Sequence, residues 1–518
     1  MTESSTPIPD PSDPSGAPEG AGDAGDAGDR LPTGVQRPHA PHHLDPATFG
    51  SYLVRTRWFG GKGRPHAVHG VRVVGEVPGH VDDGPWVVVH LVDVSYDDVA
   101  ADAADARETY QVPLALYTHA QNRLDHAFVG WWEDPERGWV HAYDAVHDRV
   151  AMDCWLRSFA DAASTEELIF HRTADHELDL EAHSTLFSGE QSNSSVAFGE
   201  DALLKVFRKV TPGPNPDITV HRLLTEAGSD KIAALYGFAE ARDLELGPEG
   251  RTPDGSSYDL AMLQQFLRTA TDGWDLALSS VRTLLGREDV SVEESGGDFA
   301  GEAGRLGEAL REVHDLLVTT GTSTTPAAAL AETMTARLSA AVRAVPQLAA
   351  HEAGLRTVFA RVADLGEIDV QQVHGDLHLG QTLRTSHGWK IVDFEGEPAK
   401  TLAERLLPDS PWRDVAGMLR SFDYAPRVVH RTQTGGSAVA GDDLEDQQLD
   451  ARAEEWSQRS RQAFVEAYGG GPLGATDRVL LEAYVADKAV YETVYEARNR
   501  PSWVTIPLAA VARIGART

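Results

Sequence analysis

The sequence predicts an α+β fold that is β-rich in its amino-terminal half and α-rich in its carboxyl-terminal half. Three observations predict it. Alternating or continuous valine-rich runs recur from about residue 71 to residue 267, the pattern of half-buried and buried strands. Beyond them the apolar spacing becomes helical: Leu306, Leu310, Val313 and Leu317 stand at i, i+4, i+7 and i+11, one face of an amphipathic helix. The chain, at 518 residues, is also long enough to bury at least two cores.

Residues 1–44 are built from Pro, Gly, Ala, Ser, Thr and Asp, with Ala-Gly-Asp repeated from Ala21 to Asp29. Such a segment cannot bury enough apolar surface to offset its chain entropy, so a disordered acidic tail is expected. Pro46 to Trp58 then reads as a short helix. Val71 to Val77, Trp86 to Val94, Thr109 to Leu116 and Ala142 to Val150 read as strands of a small sheet domain over residues 45–160. Near its start, Arg57-Trp58-Phe59-Gly60-Gly61-Lys62 reads as a turn with an aromatic anchor, its role best probed at Trp58 and Lys62. A second β-rich unit spans residues 161–267. It has strands on both sides of Gly189 to Val196, an apolar strand Leu203 to Phe207, a helix starting near Pro216 and a strand from Leu260 to Leu267. Residues 268–518 read as helix, interrupted by a strand-loop-strand near residues 370–395. The polar stretch from Gln433 to Gln448 is expected to be a mobile insertion.

With 46 Lys and Arg against 80 Asp and Glu, the formal charge of −34 excludes nucleic acid and anionic membrane as partners. The single cysteine, Cys154, excludes an internal disulfide framework. No apolar run is long enough for a membrane helix, and the start lacks a leader pattern, so a cytoplasmic location is expected, as a monomer or weak oligomer. Only seven of the basic residues are lysines, so each lysine amid so much arginine invites scrutiny.

The chemistry concentrates in Gln372-Val373-His374-Gly375-Asp376-Leu377-His378-Leu379-Gly380-Gln381, followed by Asp393-Phe394-Glu395-Gly396. Phosphoryl transfer asks for a carboxylate to receive the hydroxyl proton and for oxygen ligands that hold Mg²⁺ against phosphates. Asp376, then Gln381 and Asp393, supply those parts in the order and spacing of a kinase catalytic loop and metal loop, with Gln381 standing where Asn is usual. His374, two residues before Asp376 in an extended segment, points the same way and is expected to touch the acceptor. Lys488, Tyr491 and Tyr495, at i, i+3 and i+7, share a helix face suited to a neutral sugar. A half-buried tyrosine stripe with a solvated lysine is the plainer reading of that face.

Val373 to Gln381, Trp389 to Pro398 and Trp412 to Tyr424 resemble the aminoglycoside-phosphotransferase-like branch of the eukaryotic-type kinase fold, and within it the bacterial maltokinases. The resemblance covers roughly residues 45–518. It implies a bilobal kinase-like fold with a cap domain before a β-rich N-lobe and an α-rich C-lobe. It also implies ATP and Mg²⁺ as cofactors and the conversion of maltose to α-maltose 1-phosphate, feeding α-glucan synthesis. Gln191 to Ser195 resembles the Ser-Asn-rich phosphate loop of that family, which makes Ser192, Asn193, Ser194 and Ser195 ATP-binding candidates, their backbone N–H groups facing anionic oxygens. Lys205 matches the strand lysine on the α- and β-phosphates, and Gln264 opens the hinge that meets adenine. The acidic partner of Lys205 is missing from its expected place, which holds Thr219; Asp217 and Glu226 are the substitutes. The resemblance further implies that Lys488, Tyr491 and Tyr495 line the maltose site. Two alternatives stay open: a kinase of glucosamine or another small sugar, and a catalytically silent kinase-fold binding module.

Overall fold

The computed structural model describes residues 45–516, except residues 80–83, 100–105, 174, 188–191, 243–256, 288–289, 398–399 and 434–443. The expected disordered tail lies outside the described residues.

Helix α1 (Pro46–Leu53) begins where Asp45 accepts hydrogen bonds from the backbone of Ala47 and Thr48. It stops five residues short of the expected Trp58. Arg55 and Thr56 donate three residues back, to Tyr52 and Leu53, and this tightening turns Trp58 and Phe59 into the core beneath the first sheet. That sheet comprises β1 (His66–Glu76), β2 (Trp86–Tyr96), β3 (Arg107–Tyr117), β4 (Phe128–Asp134) and β5 (Gly138–Asp144), antiparallel in the order β1-β2-β3-β5-β4. Strand β4 was not expected, because Phe-Val-Gly-Trp-Trp alternates poorly and carries a glycine. The expected strand from Ala142 to Val150 is also corrected. It ends at Asp144, which caps a short 3₁₀ turn, and Asp148 then caps helix α2 (Arg149–Ala160).

The second sheet contains β6 (Leu168–Arg172), β7 (Ser184–Leu186), β8 (Asn193–Phe198), β9 (Ala202–Phe207), β11 (Leu235–Ala241) and β12 (Tyr258–Gln265), in the order β6-β11-β12-β9-β8-β7. Between β9 and β11 lie the two-residue β10 (Lys209–Val210) and helix α3 (Pro216–Glu226). Strand β10 leaves the second sheet and pairs with β3 of the first. Trp155 and Phe159 of α2 share one core with Val87, Val89 and Leu91 of the first sheet and with Phe170, Leu204 and Val206 of the second.

The rest is mainly helical. In order come β13 (Thr271–Asp272), α4 (Gly273–Leu285), α5 (Ala300–Leu317), β14 (Ser323–Pro326), α6 (Ala327–Ala344), α7 (Glu352–Ala363) and β15 (Glu367–Val370). Then follow β16 (Thr382–Thr385), β17 (Gly388–Ile391), α8 (Leu402–Arg405), α9 (Trp412–Gln433), α10 (Leu444–Gly469), α11 (Ala475–Asn499) and α12 (Thr505–Gly515). Leu306, Leu310, Val313 and Leu317 face the core, as their spacing predicts. Much of the expected insertion at 433–448 lies outside the described residues. Its last five residues, from Leu444, belong to α10 and so are helical, not loop. No helix among the described residues is long and apolar enough to cross a membrane.

Candidate active site

The loop between β15 and β16 carries Asp376, and α9 sets its shape. Asp414, in the first turn of α9 and 1% exposed, accepts from the backbone N–H of His374 (2.7 Å) and of Gly375 (2.9 Å). His314 of α5 donates to the same carboxylate at 3.0 Å. Burial pushes the Asp414 carboxyl up, but the His314 hydrogen bond and the nearby rings outweigh it and hold the group below its ordinary range. Gly375 turns the chain at φ +85°, a conformation glycine adopts without penalty. Asp376 thereby faces a cavity of about 910 Å³ between α4, α9 and α11.

His374 does not reach that cavity, which corrects its expected contact with the acceptor. Its ring is buried: Nε2 donates to the Val392 carbonyl (3.0 Å) and Nδ1 accepts from the Asp376 N–H (3.4 Å). The turn at Gly375 breaks the alternation that placed His374 and Asp376 on one side. His378, not singled out from the sequence, lines the cavity instead.

On the opposite side of the cleft, Lys205 of β9 is the hub. Its Nζ lies 2.9 Å from Asp217 Oδ2, 2.7 Å from Asp393 Oδ1 and 2.6 Å from Glu395 Oε1. Burial works against the ammonium, but the three carboxylates prevail and hold it well above the ordinary lysine value. Asp217 answers the open question of the lysine's partner. It reaches Lys205 because Asn215 caps α3 and Pro216 opens it, which puts Asp217 in the first turn. Burial opposes its charge as well, yet Lys205 and His221 keep it deeply ionised. The Thr219 hydroxyl turns back to the Asn215 carbonyl.

The candidate phosphate residues are arranged differently from the expected loop. Asn193, Ser194 and Ser195 belong to β8, in register with Phe207, Val206 and Lys205, and only Ser192 precedes the strand. Alternation along the strand separates them. Asn193 Nδ2 donates to Glu395 Oε1 (2.9 Å), whereas Ser194 Oγ accepts from Arg208 Nε (2.8 Å), on the side of the first sheet. Ser195 is buried beside Lys205. Gln264, the penultimate residue of β12, pairs in register with Leu203 and Leu235, and its side-chain oxygen is buried without a partner.

Gln381 and Asp393 also meet. Gln381 Nε2 donates to Asp393 Oδ2 at 2.8 Å, and Asp393 adopts φ +68°, a strained backbone conformation for a non-glycine residue. Asp217, Asp393 and Glu395 bring carboxylate oxygens within 4.8 Å of one another. Of these, Asp217 is already saturated by Lys205, His221 and the Phe394 N–H. Asp393 and Glu395 remain, and with the Gln381 side-chain amide beside Asp393 they make a hard-oxygen set of the kind a divalent cation takes.

In the cavity, Lys488 Nζ donates to Asp376 Oδ1 at 2.8 Å. Burial alone would push the Asp376 carboxyl up, but Lys488 outweighs it and lowers it; the lysine is raised in turn by the same pair. The Tyr491 and Tyr495 rings lie nearly parallel, 6.4 Å apart, both partly exposed, with Lys488 over the Tyr491 ring. Spacing on α11 foretold this face. Sequence reading missed the rest of the lining, which includes Trp274, Tyr424 and Trp503. It also missed a set of paired acids: Arg420 holds Glu492 (2.7 Å), and Tyr424 (2.8 Å) and Arg500 (2.6 Å) hold Glu496. The signal for Asp414 and Arg420 was available within Trp412 to Tyr424, a run marked only as a whole.

Residues 52–148 match the family described as the maltokinase N-terminal cap domain. A glucosamine kinase of Streptacidiphilus jiangxiensis is 30% identical over 338 residues, covering 61% of this chain and 70% of that protein. One of Mycolicibacterium smegmatis is 26% identical over 335 residues, covering 62% and 77%. Among solved structures, a glucosamine kinase in complex with glucosamine, ADP and inorganic phosphate superposes with a TM-score of 0.60 at 22% identity, over 90% of this chain and 98% of that one. A second crystal form of glucosamine kinase gives 0.62 at 20% identity, over 88% and 95%. These likenesses bear out the kinase-like α+β fold with its cap, strand-rich first and helical after.

Proposed function

Because the chain belongs to the maltokinase-type family of sugar kinases, we propose that it transfers the γ-phosphoryl group of ATP to the anomeric hydroxyl of maltose, giving ADP and α-maltose 1-phosphate. The observation that carries the reading is the Lys488–Asp376 pair, 2.8 Å long, in an aromatic-lined cavity of about 910 Å³. Lys488 keeps Asp376 ionised, so the carboxylate accepts the hydroxyl proton as the new oxygen–phosphorus bond forms and the bond to the β–γ bridging oxygen breaks. Gln381 and Asp393 are the residues that would hold Mg²⁺, which when bound neutralises phosphate charge. Lys205 supplies positive charge to the α- and β-phosphates, Asn193 and the backbone at Ser192 add N–H donors, and Gln264 lies beside adenine. Tyr491 and Tyr495 offer flat apolar faces to the sugar's C–H groups. Retention of Asp376, Gln381, Asp393 and Lys205, and kinases as relatives, favour an active kinase over a silent module.

Charge in the cavity favours a neutral acceptor. Asp376, Glu492 and Glu496 each hold a cationic partner, Lys488, Arg420 and Arg500 respectively. Asp272 is the remaining lining carboxylate, and one of its oxygens caps α4. A second reading, glucosamine, rests on the names of the relatives, and Asp272 is the group that would take its ammonium. ADP release measured with maltose, glucosamine and an aminoglycoside in parallel separates the cases. Maltose is the expected acceptor, and turnover with glucosamine alone would overturn the assignment. Asp376→Asn should cost at least about a hundredfold in kcat with the fold intact; substantial residual turnover would remove Asp376 from the role of base.

A further inference from the structure

Two donors suited to a nucleotide's phosphates already converge on an anion of the protein's own. Lys205 Nζ and Asn193 Nδ2 lie 2.6 Å and 2.9 Å from the same oxygen, Glu395 Oε1. They come from adjacent strands, β9 and β8, whereas Glu395 comes from the loop after β17. The contact therefore joins the strand-rich half to the helical half across the cleft.

The three carboxylates around Lys205 are not equivalent. Asp217 is 1% exposed and accepts from the Phe394 N–H as well as from His221, so it is a permanent partner. Asp393 is tied to Gln381. Glu395 is fixed through its backbone, since Arg405 Nη1 donates to its carbonyl at 3.0 Å. Its side chain is a quarter exposed and held by Lys205 and Asn193, groups that a phosphate oxygen would satisfy equally well. One ammonium among three carboxylates leaves the metal-free pocket with excess negative charge, which opposes entry of a polyanion without its cation.

Resting on the reading that the nucleotide binds in this cleft, we propose that the Glu395 carboxylate stands in the place of a phosphate oxygen when nucleotide is absent and must be displaced when it binds. Glu395 is then a positioning residue with two effects. It keeps the donors of β8 and β9 aligned in the empty cleft, and it competes with the nucleotide for them. As the product nucleotide leaves, the carboxylate returns to Lys205 and favours release.

Calorimetric titration of ADP in the presence of EDTA tests this without metal and without turnover. Glu395→Gln keeps the side chain's size and an acceptor for Asn193 but removes the competing charge. Its metal-free Kd for ADP should fall about tenfold, the scale of one charge-assisted hydrogen bond no longer contested, and ADP should dissociate more slowly. Unchanged or weaker metal-free binding overturns the proposal, and weakening confined to Mg²⁺-containing buffer would instead mark Glu395 as a metal ligand. Glu395→Ala, titrated in the same way, serves if Glu395→Gln does not fold, with thermal melting reporting the fold of each. Lys205→Ala separates the two levels of inference. If it leaves ADP binding unchanged, the nucleotide lies elsewhere and the underlying reading fails. If it abolishes binding while Glu395→Gln changes nothing, only the competition fails.

Discussion

Lys488 sets the working range of Asp376. The carboxyl is pushed up by burial and pulled lower by the ammonium 2.8 Å away, with a net lowering. A base must be ionised, so with Asp376 in the proposed role the acid limb of kcat/KM is expected below the ordinary aspartate range. Lys488→Met removes the main opposing charge and leaves burial countered only by the nearby His378 and His374 rings, so the limb should move to higher pH, by about one to three units. A pH–rate profile checks it, and an unmoved limb would show that Lys488 serves the sugar alone. At this scale the sequence was informative where motif spacing brings side chains together: Gln381 and Asp393 meet, and Lys205 reaches Asp393. It misled where side-chain direction depends on one dihedral, since the φ of Gly375 sends the His374 ring to the Val392 carbonyl. Glu395 was in view within Asp393 to Gly396, but nothing local says that its carboxylate reaches Lys205, 190 residues earlier in the chain.

Helix α9 and the Asp376 loop act as one unit. A Cβ built on Gly417 would stand 2.3 Å from the Leu377 carbonyl oxygen, and that oxygen belongs to backbone, which cannot swing aside as a side chain does. Gly417→Ala must therefore push the loop away from α9. The expected outcome is a lower Tm, from about 1–3 kcal/mol of overpacking, together with, on the proposed reading, a kcat that falls more than the KM for the acceptor sugar rises, because Asp376 is displaced while Tyr491 and Tyr495 are not. A variant with native kcat would show that loop and helix are not coupled. Elements with strong periodicity, α5 among them, were legible. Element ends were less so: a run such as Ala142 to Val150 reads as strand by composition, and only the caps at Asp144 and Asp148 divide it into strand, turn and helix.

Across the whole molecule the first sheet is welded to the second through a buried cation. Arg208 is fully buried; it donates to both oxygens of Asp144 (2.8 and 3.1 Å) and to Ser194 Oγ, and it lies 4.6 Å from the centre of the Trp58 ring. Tyr52 donates to the same Asp144, and Gln111 of β3 donates to the Phe207 and Leu260 carbonyls, both at 2.9 Å. Removing the cation strands a buried carboxylate. Arg208→Met should therefore destabilise by about 3–5 kcal/mol, and because α2 shares its core with both sheets, the two should melt in a single transition. Denaturant unfolding followed by tryptophan fluorescence checks both points. Two separate transitions in the native protein would mean that the sheets are independent units.

By itself, the sequence determined the fold class, the order of strand-rich and helical halves and the kinase reading, because periodicity and motif spacing are local properties of the chain. Tertiary structure alone decided that Asp217 partners Lys205, that Ser194 faces the first sheet while Asn193 faces the cleft, that His378 replaces His374 in the cavity, and that Arg208 binds the sheets together. Each of these depends on one backbone turn or on two segments far apart in the chain arriving at one point, and local pattern carries no record of either.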